Sequence, residues 1–481
     1  MDGITGIGSG IDINSIVGAM VNAERAPKEA QLARLEKAST TKFSALGQLK
    51  SALSELQTAL KDLNNPSLFE KRTATSSNTS ALTASAGSAA LAGSYQVEVG
   101  RLASASKVAT QTLASDFSAT GAGSLTVKLG AGDEAGVEVA IEAGDDLAAI
   151  RDKLNTALKD KGISANIVND PAGGASRLVL SAKETGAGQD IYIETADAAL
   201  ADLAIGSIDY SDPDNPVGTL AAVSGSAAGY LEQALNAEFK IDGLSLSSAS
   251  NTISNAIPDV TLTLVGKTEA GKPLSVTVGQ DNAGVKSSIK KFVDTYNKLI
   301  STSNQLTNVT QVGEGKAPVV GGLVGDATVR TLLSGVRSEL GNPLGASGDA
   351  VRILADLGIT TQRDGTLKID DSKFDTVLKD NYDAVGAFFT GDSGLMKRLE
   401  QRIEGYTQVG GILDERMKGL QTTISGIDKQ KETLNRRIEQ LQTRLFAQFN
   451  AMDSLVGQLS RTGDRLAQAL GSLSGVVKKD S

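Results

Sequence analysis

The feature that most constrains this chain is a heptad stretch near its C-terminus, over roughly residues 412–477. Apolar residues fall at Leu413, Met417, Leu420, Ile424 and Ile427, lapse at Lys431, and resume at Leu434, Ile438, Leu441 and Leu445. Alternating steps of four and three mark the a/d seam of a coiled coil, narrower than the stripe of a globular helix. Past Leu445 the seam slips at Phe449. It then runs on through Met452, Val456, Leu459, Leu466, Leu470 and Leu473, with a gap at Gly463. Two successive steps of four are a stutter, which locally unwinds a left-handed supercoil. An unbroken helix of about 60 residues would be about 90 Å long, and alone it cannot bury such a seam.

A partner with the same spacing lies at the other end of the chain. Leu46, Leu49, Leu53, Leu56, Leu60 and Leu63 step three and four; Leu32 and Leu35 share the phase, Ser39 and Lys42 interrupt it, and Phe43 substitutes. Paired within one chain, the two helices would run antiparallel. Two amphipathic helices of an ordinary bundle are the alternative reading. On the coiled-coil reading the seams need partners, so the terminal arms are expected to order only on assembly. Residues 75–405 are expected to fold without them.

The 481 residues have room for about three domains. A net charge of −9, with Lys and Arg scattered, argues against nucleic acid as a partner. The chain contains no His and no Cys. Thiolate metal sites, disulfides, Cys nucleophiles, His bases and Ser-His-Asp triads are therefore excluded, and no catalytic, cofactor or metal site is expected. An enzyme would have to work with carboxylate or Ser-Lys chemistry. No run approaches the roughly 18 apolar residues of a membrane span, so no membrane insertion is expected. The first basic residue is Arg25 and no apolar core precedes it, unlike a secretory signal. The chain is expected to be cytoplasmic, or exported by a route that leaves its N-terminus intact.

The opening Gly3–Gly10 segment mimics part of a dinucleotide fingerprint, but no strand precedes it, and a flexible leader is the better reading. Asp12 or Asn14 can cap a helix carrying Ile16, Met20 and Val21, with a break expected at Pro27. Asn64-Asn65-Pro66 stops the leucine helix. Periodicity then changes to two: Tyr95, Val97 and Val99 alternate with polar residues. Further strands are expected at 125–129, 137–141, 164–168, 177–180 and 191–193, around a helix at 147–159. Asp145 and Asp146 stand at the start of that helix as caps. Asp212-Pro213-Asp214-Asn215-Pro216, within the acidic loop from Asp209, faintly resembles a calcium loop but lacks its central Gly and closing Glu, so a polar turn is the better reading. Strands follow at 238–241, 260–265 and 274–278. From about Gly284 helix returns, with Ile289, Phe292, Val293, Tyr296 and Ile300 on one face. A helix at 329–340, a hairpin turned by Arg363-Asp364-Gly365 and a helix carrying Tyr382, Val385, Phe388 and Phe389 complete the chain.

The expected fold class is α+β: a long terminal α-helical coiled-coil stalk and a helical leg carry β-rich head domains. The expected boundaries are 1–70 for the leader and first coiled-coil helix, 71–105 with 237–283 for a β-rich head, and 106–236 for an inserted outer head. Residues 284–410 form the helical leg with its hairpin, and 411–481 the C-terminal coiled coil.

Taken together, motifs spread along the chain resemble the flagellar filament cap protein, the hook-associated protein 2 family of bacteria. They include Gly10-Ile11-Asp12 and Ala23-Glu24-Arg25-Ala26-Pro27, Gly93-Ser94-Tyr95 with Val97, Val99, Leu102 and Ala103, and Phe292-Val293-Asp294 with Tyr296-Asn297. The most specific segment joins Phe239-Lys240-Ile241-Asp242-Gly243 to Ser250-Asn251-Thr252-Ile253 and Ile257-Pro258-Asp259-Val260-Thr261-Leu262-Thr263-Leu264. Gly325-Asp326, Leu357-Gly358-Ile359-Thr360 and Asp364-Gly365-Thr366-Leu367 follow. The match departs mainly between Ser106 and Asn236, where a β-helix-β unit around 146–193 resembles a module of filament-associated axial proteins.

The resemblance implies export unfolded through the flagellar secretion channel, with a flagellar export chaperone, and a place at the distal filament tip. It implies a homo-oligomeric ring, five copies being the expected number, with helical legs pointing into the filament. Flagellin and other hook-associated axial proteins would be its partners. The ring would retain exported flagellin and promote its polymerisation, as elongation requires. A tip adhesin binding host or surface glycans through residues 106–236 is the alternative, although the Tyr residues there number three, Tyr192, Tyr210 and Tyr230. A hook–filament junction protein would share the coiled coils but lack the Phe239–Leu264 signature.

Overall fold

A computed structural model describes residues 10, 12–212, 214–311, 313 and 316–473. The opening from Gly3 to Ser9, Ile11, Pro213 and the Leu473 side chain lie outside it. The described helices are α1 (Ile13–Leu63), α2 (Ser67–Glu70), α3 (Leu147–Leu158), α4 (Asn282–Thr307), α5 (Ala327–Gly341), α6 (Asp371–Asp380), α7 (Tyr382–Phe389), α8 (Leu395–Thr407) and α9 (Ile412–Leu473). They belong to two compact units. One takes both chain ends, up to Phe69 and from Asn282; the other is Glu70–Asp281.

The middle unit is β-rich and has two cores. In the first, a five-stranded antiparallel sheet runs in the order Arg72–Ser76, Leu274–Gln280, Gly93–Arg101, Ala237–Ile241, Leu244–Ser248. The turn at Asp242-Gly243 needs φ of +49° and +85°, which Gly and Asp tolerate. Asp242 Oδ1 fixes this turn by accepting the Gln96 N–H at 2.8 Å. A three-stranded sheet of Leu82–Ala86, Val260–Leu264 and Thr252–Ile257 contributes Leu262 and Leu264 to the same core as Val97, Val99, Phe239 and Val276. The second core gathers Leu125, Val127, Ile163, Leu178 and Leu180 from strands and Ile150, Leu154 and Leu158 from α3. Of the two carboxylates expected to cap α3, Asp146 does so, whereas Asp145 turns back to accept the Glu142 N–H at 2.7 Å. Asp146 accepts the Ala149 N–H at 2.7 Å, and Asp145 holds Lys153 at 2.6 Å.

In the helical unit α1 serves two cores. Its second half buries Leu46, Leu49, Leu53, Leu56, Leu60 and Leu63 in one cluster with Val285, Phe292 and Tyr296 of α4, Leu399 and Ile403 of α8, and Leu413 of α9. Ala45, Ala52 and Ala59 are buried beside the leucines. Three positions per heptad are thus covered, which is the width of a bundle face. For this stretch the bundle reading holds, and the expectation that its leucines wait for an assembly partner is corrected: helices of the same chain fill the seam. The leg helices do not close on themselves either, because α1 is one wall of their core. A chain cut to residues 75–405 would therefore leave Phe292 and Leu399 without their cover.

The first half of α1 needs further corrections. Its N-cap is Asp12, whose side chain accepts the Ser15 N–H at 3.0 Å. Ile13, Val17 and Val21 are buried, stepping four residues, whereas Ile16, Met20 and Leu35 are exposed on another face. Pro27 lies inside the helix and does not break it. A proline removes one N–H bond, and here α9 holds both sides of that defect through Glu24–Arg437 at 3.0 Å and Glu36–Lys431.

At the start of α9, Asp414 accepts the Gly410 N–H and pairs with Lys418 at 3.1 Å and Lys50 at 3.3 Å. The Gly410 N–H first, then the two lysines, pull its carboxyl from an ordinary 3.8 to about 2. A depressed carboxyl contributes stability that is complete above its unfolded value and is lost as pH falls through its folded value. The stability of the helical unit should therefore fall as pH drops from about 4 to about 2. In Asp414→Asn that part of the loss should be absent, as thermal melts across this window would show.

Candidate assembly surface

Three cross-helix ion pairs, Lys50–Asp414, Glu36–Lys431 and Glu24–Arg437, fix α1 and α9 antiparallel. The α9 seam is covered in sequence order. Leu413 is buried in the bundle core, and Met417 and Leu420 pack half-buried against it. Ile424 is half-buried and Ile427 buried. Ile438 and Leu445 are buried, and Leu434 and Leu441 half-buried, around Ile13, Val17 and Val21. Phe446 and Phe449 close this cluster, which brings the first turn of α1 level with Phe449.

The stutter falls where α1 begins. Beyond it α9 continues for about 24 residues, or about 36 Å. Met452, Leu455, Val456, Leu459 and Leu466 are 38–63 % exposed there. The heptad frame restarts at Phe449, so this is a second seam with its own phase. Apolar side chains in heptad register on an exposed helix are a surface built for another helix.

Sequence reasoning placed the seam residues on two long helices but did not find the pairs that hold those helices in register. Lys50 and Asp414 are 364 positions apart, and nothing local in the chain signals their meeting. It also missed Asp326, which caps α5 by accepting the Thr328 N–H and binds Arg416 of α9 at 3.0 Å. That guanidinium holds the Asp326 carboxyl below its ordinary range.

The other candidate sites resolve into local structure. Asp209 Oδ1 accepts the Ser211 N–H at 2.9 Å, and Asp212 Oδ1 the Asp214 N–H at 3.1 Å; these are the Asx turns of a polar loop. Among the described residues no three acidic side chains converge as a metal cage, and no helix is long and apolar enough to cross a membrane. In the outer β core, Tyr192 is buried against the backbone of Gly218, and the Tyr210 hydroxyl accepts from Lys128 at 3.1 Å. Both rings serve the fold instead of forming a sugar platform.

A helical unit made from both chain ends, a β-rich middle, and a long helix whose seam outlasts its partner describe a structural assembly protein. Comparison with known proteins is specific. Models for the N-terminus and C-terminus of flagellar hook-associated protein 2 match residues 9–106 and 234–461, and a flagellin hook IN motif matches residues 124–184. The A-type flagellar hook-associated protein 2 of Pseudomonas aeruginosa is 53 % identical over 99 % of this chain and 98 % of its own length. That of Escherichia coli K12 is 31 % identical over 96 % and 97 %. The crystal structure of the D1-D2-D3 domains of the Escherichia coli flagellar cap protein is 30 % identical, with a TM-score of 0.55, covering 78 % of this chain and 99 % of that one. The chain belongs to the flagellar hook-associated protein 2 family. The flagellin motif falls in the segment that the two family models leave unmatched, where the β-helix-β unit resembles an axial-protein module.

Proposed function

We propose that this chain is a structural cap at the distal end of the flagellar filament, and not an enzyme. It retains exported flagellin at the growing tip and promotes its polymerisation. It works as a homo-oligomeric ring, five copies being the number we favour, after export through the flagellar apparatus with the help of a chaperone. Flagellin and the neighbouring hook-associated proteins are its partners. The expected domain boundaries and the seam residues of α1 and α9 belong to this reading: the copies join into a ring, and the paired helices form its legs. The observation that carries it is the α9 seam beyond Phe449, exposed over about six turns in a chain whose relatives include a flagellar cap protein.

The test is deletion of the gene from its source bacterium. Cells without the chain should release monomeric flagellin into the medium and carry hooks with short filaments or none, and a plasmid copy should restore both. Full-length filaments in the deletion strain, with no flagellin released, would rule the reading out.

A further inference from the structure

Helices α5 and α8 pack side by side, and their outward rows border a shallow groove. Arg330, Ser334 and Ser338 step four residues along α5, and Arg398, Arg402 and Tyr406 do the same along α8. Gly335 keeps the groove open, since a Cβ there would stand 3.2 Å from Cδ of Arg402. Beneath it, Glu339 is gripped by Arg398 at 2.6 Å and Arg402 at 2.7 Å. One carboxylate thus answers two guanidiniums. Arg330 is exposed and makes no ion pair among the described residues. The groove keeps an excess of positive charge on a chain whose net charge is −9.

The opposite charge stands elsewhere on the same unit. Asp383 lies on the outer face of α7, with Asp380 before that helix and Asp392 after it; all three are exposed. None makes an ion pair among the described residues, although neighbouring Asp371 and Asp375 share Lys286. The length of α7 and the stretch of α8 from Arg398 to Tyr406 each span about 12 Å, so the two charged edges match in extent.

We infer that the α5–α8 groove of one copy receives the acidic α7 edge of a second copy. Two different patches of one unit, complementary in charge, make a head-to-tail contact, and such contacts close into a ring when the rotation permits. This contact rests on the ring reading above and names the surfaces that neighbouring legs present to each other.

The experiment is mass photometry and sedimentation of the full-length chain over a range of concentrations at low salt. Four forms are compared: unmodified, Arg330→Glu, Asp380→Lys with Asp383→Lys, and all three changes together. Each altered patch alone should raise the concentration for half-assembly about tenfold or more, because Arg330→Glu cancels the positive excess of the groove and the two new lysines put like charge opposite it. The chain with all three changes should recover part of that loss, since the new glutamate at position 330 faces the two new lysines. Should a reversed variant unfold, Arg330→Gln and Asp383→Asn are read as a double-mutant cycle, in which the two changes together should weaken assembly no more than either one alone. Single reversals that assemble like the unmodified chain, or a combined variant no better than the singles, would overturn the contact and leave the ring standing. An unmodified chain that stays monomeric throughout would remove the ring reading and this contact with it.

Discussion

Leu56→Asp should unfold the helical unit while the β-rich unit keeps its own melting transition. Leu56 has no exposed surface and lies in the cluster shared by α1, α4 and α8. Truncation to Ala would cost about 2–5 kcal/mol through lost burial and a cavity. A carboxylate at that position must also be desolvated, and among the described residues no Lys or Arg of the helical unit is buried to pair with it, so the added cost is several kcal/mol. Domains of this size are stable by only about 5–15 kcal/mol, so one such change removes much or all of the margin. The check is calorimetry. The unmodified chain should show transitions for both units, and the variant only that of Glu70–Asp281. Retention of the helical transition within a few degrees would mean that the leucines of α1 are not the core of the leg.

The second large effect is on assembly and leaves folding alone. Leu459 is 62 % exposed and Leu466 63 % exposed, so replacing both with Asp removes little buried area and should change stability by less than about 0.5 kcal/mol each. If another helix covers this seam in the assembled cap, two carboxylates in its a/d positions would have to be desolvated, and the contact should be lost. The variant should melt like the unmodified chain but fail to form the oligomer that mass photometry of the unmodified chain is expected to show. Leu441→Asp makes a useful contrast. Leu441 packs against the cluster of Ile13, Val17 and Val21, so that change should separate α1 from α9 within one chain and lower stability. An oligomer undisturbed by Leu459→Asp with Leu466→Asp would mean that the second seam faces solvent in the working protein as well.

Much of this architecture can be read in the sequence because its signals are periodic and apolar. Heptads announce α1 and α9, and the face of Ile289, Phe292, Val293, Tyr296 and Ile300 announces α4. The α8 helix was not legible: Leu395, Met396, Leu399 and Ile403 are its buried residues, but they are spread among Lys, Arg, Glu and Gln, and the Gly394 at its N-cap offers no side chain to cap it. Strands such as Leu82–Ala86, of sequence Leu-Thr-Ala-Ser-Ala, hide for a different reason. Small residues on both faces leave no contrast between inside and outside, and only pairing with Val260–Leu264 fixes them as strand. The seam itself was legible, but its partition was not. Where the intrachain partner stops depends on the register of α1 against α9, which ion pairs such as Lys50–Asp414 set across most of the chain length. Only the stutter at Phe449 marks the place in advance.

On the proposed reading, the seam of α9 beyond Phe449 anchors the cap in the filament end. The most direct test is flagellin partitioning in cells whose only copy of this chain carries Leu459→Asp with Leu466→Asp. Monomeric flagellin in the medium, filament length and the amount of exported variant are measured together. Export at the unmodified level is expected, with flagellin released as monomer and filaments absent or strongly shortened. Filaments of full length with no released flagellin, in cells that export the variant normally, would contradict that reading.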